Sequence, residues 1–356
     1  MQYRTLYNIY RSTINMAQKK VLVLGATGAM GKYLIPKLAE RNYLVDAVAL
    51  DACPFQHPNV NVITGNAKDH NFRDELLKNN YDAIVDFMIY ATNELIPYLP
   101  RIIPATGHYI YLSSYRIYDG CEVPVKETSP RLLDHSNDIR LRNSDDYSIY
   151  KARGENVVHT FTNKNWTIIR PAITYSLMRY QLVTLEAFAT VSRAKLGKTV
   201  VLPETAKNIQ ATMSWAGDIA EMIARLLFNE KAFGETFTVA TAEHHTWGEI
   251  AEYYKDICNM KTVWVPQDDY LNIVTNDPRS TYAYYYWQLA CDRLFNRIMD
   301  NSKVLAATGL KQDEMMKLYD GLKYEIGRCS DEELHRGKNF YININMDQYL
   351  REKGLN

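Results

Sequence analysis

From Lys19 onward the apolar residues follow two alternating patterns. The runs "KVLVLG" (20–25), "YLVDAVAL" (43–50), "NVNVITGN" (59–66), "AIVDFMIY" (83–90), "HYIYLSS" (108–114) and "WTIIRPAI" (166–173) have the length and composition of buried strands. Between them, "AMGKYLIPKLAERN" (29–42), "DHNFRDELLKNN" (69–80) and "NELIPYLPRII" (93–103) repeat apolar positions at helical spacing. Strands alternating with helices imply βαβ units on a parallel sheet. The expected fold class is therefore α/β, a Rossmann-like doubly wound parallel sheet.

Past about residue 175 the rhythm changes. Residues 179–197 predict a helix, and 214–229 another, capped early by Asp218. Residues 234–240 read as one more strand, and 246–259 as a helix opened by a Thr246/Glu249 capping box. The rest, including "TYAYYYWQLACDRLFNR" (281–297), is aromatic and less regular. The expected organisation is an extension over 1–18 and a cofactor-binding domain over 19–175 that is completed by about 208–242. A smaller mixed α/β substrate-binding lobe takes 176–207 and 243–338, and a tail takes 339–356.

Charge narrows the class of partner. Forty-one basic and 41 acidic residues cancel, and no Lys/Arg-rich run is present, which argues against nucleic acid. No apolar run reaches the roughly 18 residues of a membrane span. Five scattered cysteines (Cys53, Cys121, Cys258, Cys291, Cys329) show no metal-ligand spacing and read as reduced thiols. "EHH" at 243–245 has no partners at zinc-like spacing, so no metal is expected. The start, with Arg4, Arg11 and no acid, lacks the apolar core of a secretory signal, and residues 1–15 read as a non-essential extension. A cytoplasmic protein acting on a small molecule is expected, with a homodimer as the assembly to test.

The strongest motif is "VLVLGATGAMGKYL" (21–34), in which Gly25, Gly28 and Gly31 form GxxGxxG between a strand and a helix. Glycines let the chain turn sharply and let backbone N–H groups approach a pyrophosphate at the helix N-terminus. Asp51 stands twenty residues after Gly31, at the end of the second strand. A carboxylate there accepts the ribose hydroxyls of adenosine and repels a 2′-phosphate. The following "ACPFQ" offers no cation to hold such a phosphate, so NAD is favoured over NADP.

Tyr147 and Lys151 lie one helical turn apart, so an ammonium can favour the phenolate of a tyrosine that is otherwise a poor acid or base near neutrality. The spacing alone decides little. It recurs at Tyr33/Lys37, Tyr319/Lys323 and Tyr349/Lys353 in a chain with 27 tyrosines.

Taken in order, "GATGAMG", "YLSSYRIY" (111–118), Tyr147/Lys151 and "IIRPAITY" (168–175) resemble the extended short-chain dehydrogenase/reductases, the NAD-dependent epimerases, dehydratases and reductases. "SWAGDIAEMI" and "NSKVLAATGL" (301–310) match later, weaker patterns of that family. The resemblance runs from about residue 20 to about 325. It selects Tyr147 over the other tyrosines and implies that Tyr147 exchanges a proton with the substrate. Ser114 would hydrogen-bond the same oxygen, and Lys151 would bind the nicotinamide ribose. Tyr150, on a different helix face, reads as packing. Cofactor contacts are implied for Gly25, Thr27, Gly28, Ala29, Met30, Gly31, Asp51, Asn66, Ala67, Lys151 and Pro171, with NAD as the cofactor. Two departures stand out. The gap between Ser114 and Tyr147 is long, with a polar insertion (131–146) that would cover the site or contact substrate, and Asn66 stands where relatives often carry Asp.

The family's 4,6-dehydratases carry an Asp-Glu pair after the active-site hydroxyl, whereas this chain has Tyr115 and Arg116. Members that epimerise at C3 and C5 resemble one another in a nearby Cys, which "SSYRIY" lacks. What remains is hydride transfer at a secondary alcohol or ketone, by a 4-epimerase acting on a nucleotide sugar or by an oxidoreductase. The alternatives are a ketoreductase of a small non-nucleotide substrate and a non-catalytic NAD-binding sensor or scaffold. Arg293 and Arg297, one turn apart, suit either a substrate diphosphate or a solvated helix face. His244 and His245 read as loop residues.

Overall fold

Seven strands hydrogen-bond side by side into one parallel sheet: β1 (Lys20–Leu24), β2 (Leu44–Ala49), β3 (Val60–Thr64), β4 (Ala83–Asp86), β5 (His108–Leu112), β6 (Trp166–Pro171) and β7 (Glu235–Val239). Their spatial order is β7-β6-β5-β4-β1-β2-β3. The computed structural model describes residues 18–52, 54–275, 282–330, 332–333 and 340–355. The N-terminal extension expected over 1–18 lies outside these residues apart from Gln18, as does Cys53.

β4, β5 and β6 are buried along their whole length, which is why they read as unbroken apolar runs and not as alternating ones. β1 shows how the sheet is covered. Val21 and Val23 pack with Leu34 and Leu38 of α1 (Gly31–Glu40) on one face. Leu22 and Leu24 pack on the other with Leu76 of α2 (His70–Leu77), Leu95 and Leu99 of α3 (Thr92–Ile102) and Val158 of α4 (Tyr147–His159). Ile219 and Ile223 of α5 (Ala216–Leu226) join the first layer. The strand order reverses between β1 and β4, and open α/β sheets form their crevice outside the strand ends at that point.

β7 completes the sheet beyond β6, with Glu235 opposite Thr167 and Val239 opposite Pro171. A second apolar cluster gathers residues such as Tyr180, Leu182, Trp247, Tyr254 and Leu322 beside the sheet. Short parallel ladders there join Ile173–Tyr175 to Met213–Trp215 and Val200–Pro203 to Thr262–Val265. The helix α6 (Trp247–Cys258) opens with the capping box read from its sequence. Thr246 Oγ1 accepts from Glu249 N at 3.2 Å, and the Glu249 carboxylate accepts from Thr246 N at 2.7 Å. The helix α7 (Leu318–Gly327) is tied to α1 by buried Glu325, which accepts from the Tyr33 hydroxyl and, at 2.6 Å, from Trp215 Nε1.

Several local expectations fail. The helix predicted over 179–197 is only a 3-10 turn, Ala187–Ala189, and a short helix, Val191–Lys195, preceded by the bridges Ser176–Arg179 and Leu182–Leu185. Tyr180, Leu182, Val183, Leu185, Ala187 and Ala189 are all buried, so the segment is enclosed by the lobe and needs no amphipathic helix. The strand read over 83–90 stops at Asp86, whose carboxylate turns back to accept from Met88 N at 2.9 Å. Asp218 does not cap α5. It lies in the first turn and accepts from Met316 N at 2.8 Å. Among the described residues no helix is long and apolar enough to cross a membrane.

Candidate active site

The glycine loop leaves β1 at Gly25, whose φ of 81° is left-handed and suited to glycine. Gly25 N and Ala26 N both donate to Val48 O, at 3.0 and 2.9 Å, which holds the loop against the end of β2. At Gly31 a Cβ would stand 2.4 Å from the Ala26 carbonyl oxygen, so no side chain fits there. The loop thus doubles back tightly onto the start of α1, where Met30 supplies no side-chain cap. The open N–H groups of such a helix end, together with its dipole, favour an anion.

This loop forms one wall of a cavity of about 830 Å³, with Gly25, Gly28, Ala29, Met30 and Gly31 in the lining. Ser114 and Tyr147 line the same cavity. Ser114 lies just past the end of β5, 5% exposed, and its Oγ accepts from Arg116 N at 3.2 Å. Tyr147 is the first residue of α4, started by Asp146, whose carboxylate accepts from Ser148 N at 2.9 Å. Burial pushes the Tyr147 pKa up, while the Arg116 charge and a hydrogen bond with Ser114 pull it back. The Arg116 guanidinium carbon lies 5.1 Å from the centroid of the Tyr147 ring.

Lys151 is fully buried behind this wall. Its Nζ donates to Leu112 O at 2.6 Å and lies 5.8 Å from the Tyr147 ring centroid. Burial drives its pKa down to about 8, opposed by the charges of Asp86 and Glu155. Pro171, the last residue of β6, also lines the cavity. Asp51 is exposed beyond the end of β2, Thr27 is half-buried in the loop, and Asn66 and Ala67 follow β3. Asn66 Oδ1 accepts from Lys68 N at 3.0 Å, and Ala67 is buried. None of these four is in the cavity wall.

Tyr150 corrects an expectation. It lines the cavity beside Tyr147, with ring centroids 5.4 Å apart and edge to face, so packing is not its whole role. Arg293 and Arg297 do not form a solvated helix face, because both are buried and both pair with Asp292. Arg293 reaches the cavity wall. His244 Nδ1 meets Gln210 Oε1 at 2.9 Å, and His245 Nε2 meets Glu243 Oε1 at 3.0 Å. Asp119 and Cys121, two residues apart, and the later His135 bring three donor atoms within 4.8 Å of one another, a grouping not expected from the sequence.

Sequence reasoning missed the charged floor of the cavity. Arg116 approaches Asp292 Oδ2 at 3.4 Å and Asp146 Oδ1 at 3.8 Å. Tyr115 donates to Asp292 Oδ2 at 3.0 Å. Asp146 was findable as an N-cap directly before Tyr147. Asp292 was not, since its partners in the cavity, Tyr115 and Arg116, lie on a distant segment of the chain. The polar insertion is partly ordered, with helices Leu132–His135 and Ile139–Asn143, and its end at Ser144, Asp145 and Asp146 reaches the cavity.

The NmrA-like family model matches residues 17–99, the segment with the glycine loop. No curated protein sequence matches the chain. Among solved structures, an epimerase from Methanothermobacter thermautotrophicus is 14% identical, covers 92% of this chain and 95% of its own, and has a TM-score of 0.66. The UDP-glucuronic acid 4-epimerase from Bacillus cereus, in complex with UDP-glucuronic acid and NAD, is 14% identical over 86% of this chain and 98% of its own, at a TM-score of 0.63. The dTDP-glucose 4,6-dehydratase from Bacillus anthracis, in complex with NAD, is 15% identical over 90% and 97%, at 0.64. The protein thus has a Rossmann-like α/β fold. More narrowly, that fold is the one shared by the NAD-dependent epimerases and dehydratases of the extended short-chain dehydrogenase/reductase type, as its motifs implied.

Proposed function

We propose that the chain is an NAD-dependent enzyme that moves a hydride at a secondary alcohol or ketone, with a nucleotide sugar as substrate and 4-epimerisation as the reaction. The observation that carries the reading is that the glycine loop, Ser114 and Tyr147 line one cavity. The residues fit NAD. Gly31 has no room for a side chain where the loop meets the helix, and α1 presents an uncapped N-terminus to the cavity. Gly25, Thr27, Gly28, Ala29, Met30 and Gly31 would hold the pyrophosphate, Asp51 the adenosine ribose, Asn66 and Ala67 the adenine side, and Pro171 and Lys151 the nicotinamide side. When bound, NAD supplies the hydride acceptor and later the donor.

Ser114 orients the substrate hydroxyl by hydrogen bonding. Tyr147 takes its proton as the carbinol hydrogen leaves as hydride, and returns the proton when the hydride comes back on the other face. Arg116, against the Tyr147 ring, favours the phenolate that this step needs. Tyr115 and Arg116 supply no carboxylate for water elimination, which supports epimerisation over dehydration. The UDP-sugar 4-epimerase among the structural neighbours supports the same class. A cytoplasmic location and a homodimer go with this reading.

One observation favours a second reading, a non-catalytic NAD sensor. The family-model match covers only residues 17–99, the segment with the glycine loop, and does not extend to Ser114, Tyr147 or Lys151. The test is an NAD-loaded assay on UDP-glucose and UDP-glucuronic acid, with Tyr147→Phe as control. Turnover lost in that variant with NAD binding kept supports the enzyme. NAD binding with no turnover on any nucleotide sugar supports the sensor.

A further inference from the structure

The Arg116 side chain is more than nine-tenths buried, yet among the described residues its guanidinium makes no hydrogen bond. Its nearest charges, Asp292 Oδ2 at 3.4 Å from Nε and Asp146 Oδ1 at 3.8 Å, form loose ion pairs. One oxygen of Asp146, Oδ2, is buried without a hydrogen bond as well. Planar guanidinium groups normally satisfy several donors, and leaving them unmade in a buried site is costly. Arg116 lines the cavity, so an incoming ligand can complete it.

The charges around it are not balanced. At the cavity mouth Arg179 pairs with Glu186 at 3.9 Å and Asp145 with Arg153 at 3.7 Å, both exposed or half-exposed pairs that cancel. In and behind the buried wall, Arg116, Arg293 and Arg297 pair with Asp146 and Asp292. Arg293 and Arg297 spend donors within the protein, on Asp292, on Gln181 Oε1 at 3.0 Å, and on the carbonyls of Val183 at 2.7 Å and Tyr118 at 2.9 Å, while Arg297 Nη1 is buried without a partner but lies outside the cavity wall. Of the three, Arg116 is the one in the cavity wall whose guanidinium makes no hydrogen bond among the described residues, so it is the one an anionic ligand can engage.

Its position says which anionic group fits. Arg116 is two residues from Ser114, whose Oγ accepts its backbone N–H, and it stacks against Tyr147. Any anion it holds lies beside the carbon being oxidised. In a nucleotide sugar reacting at C4 the diphosphate is on C1, at the far side of the ring, whereas a C6 carboxylate is attached to the neighbouring carbon. Resting on the proposed function, we infer that the substrate is a uronic-acid sugar nucleotide whose carboxylate is held by Arg116. Two parallel N–H···O bonds from a guanidinium match a carboxylate, which a neutral C6 hydroxyl cannot reproduce.

The test is calorimetry on the NAD-saturated protein with UDP-glucuronic acid and UDP-glucose. Glucuronic acid 1-phosphate and glucose 1-phosphate serve as a second pair, independent of the base. A charge-assisted hydrogen-bond pair predicts that the acid binds about 10- to 100-fold tighter than the neutral sugar. Arg116→Met should remove that preference, bringing the affinity ratio of acid to neutral sugar to about one, and Arg116→Lys should restore part of it. Equal binding of acid and neutral sugar by the wild type overturns the inference and leaves the NAD-enzyme reading standing. A preference that survives in Arg116→Met moves the carboxylate elsewhere and overturns it too. NAD binding with neither pair bound overturns the nucleotide-sugar reading, and the inference with it.

Discussion

The Lys151 ammonium donates at 2.6 Å to the Leu112 carbonyl, the last residue of β5, and so fastens the helix carrying Tyr147 to the strand that leads to Ser114. The contact takes place in full burial, and burial lowers the Lys151 pKa from 10.5 to about 8. Between those two values the unfolded chain binds more protons than the folded one, so this group makes stability rise with pH across that window. Below about pH 8 the ammonium is charged in both states and adds no slope. Lys151→Met should therefore flatten the rise, read as the difference between the wild-type and variant unfolding midpoints from pH 8 to 10.5. In the enzyme assay the wild type should lose activity above about pH 8, as the charge that favours NAD ribose binding is lost. Identical pH profiles for the two proteins would assign the titration to another group.

Tyr147→Phe keeps the ring that stacks on Arg116 and removes the proton that the proposed mechanism moves. General acid–base groups contribute about 10²–10⁴-fold, so turnover should fall by that order with NAD affinity nearly unchanged. Tyr150→Phe also keeps its ring against Tyr147 and loses only a hydroxyl in the cavity wall, so it should stay within several-fold of wild type. Steady-state rates beside NAD calorimetry separate the two. An inactive Tyr150→Phe with an active Tyr147→Phe would reverse their roles.

Asp51 is exposed at the end of β2, beside the loop held by Val48. A carboxylate there opposes a 2′-phosphate, so NAD should bind tighter than NADP. Asp51→Ser should narrow the difference by about tenfold, the effect of removing one close like-charge contact. Tighter NADP binding by the wild type would reduce Asp51 to a turn residue.

How much of this was legible in the sequence follows from the range of each interaction. The strands were readable because burial on both faces writes continuous apolar runs, and Gly25, Gly28 and Gly31 were readable because the loop is local. The capping box at Thr246 and Glu249 spans three residues and was equally plain. The segment 179–197 misled because its apolar spacing suits a helix, but it is enclosed on several sides by a lobe core that local patterns do not record. The charged floor was illegible for the same reason. Arg116 meets Asp292 only after the C-terminal lobe folds back over β5, and nothing in "SSYRIY" announces that partner. Tyr150 was placed by helix face alone, whereas the cavity wraps around both tyrosines at the start of α4.

One buried carboxylate on α7 bonds both to α1 and to the neighbouring Trp215. Glu325 Oε1 accepts from both the Tyr33 hydroxyl and Trp215 Nε1, while Oε2 faces Arg328. Burial, and then the Glu325 bond, push the Tyr33 pKa up, so that hydroxyl remains a donor at all ordinary pH values. Glu325→Ala strands two half-buried donors; full burial would cost about 1–3 kcal/mol each, so half-burial should lower stability by about 1–3 kcal/mol in all. Glu325→Gln keeps an oxygen at the same place for both donors and loses only the pairing with Arg328, whose side chain is 41% exposed. Exposed pairs contribute about 0–1 kcal/mol, so the Gln variant should stay close to wild type. Denaturant midpoints of the full-length protein measure both. A Gln variant as unstable as the Ala variant would show that the charge on Glu325, and not its acceptor oxygen, joins α7 to α1.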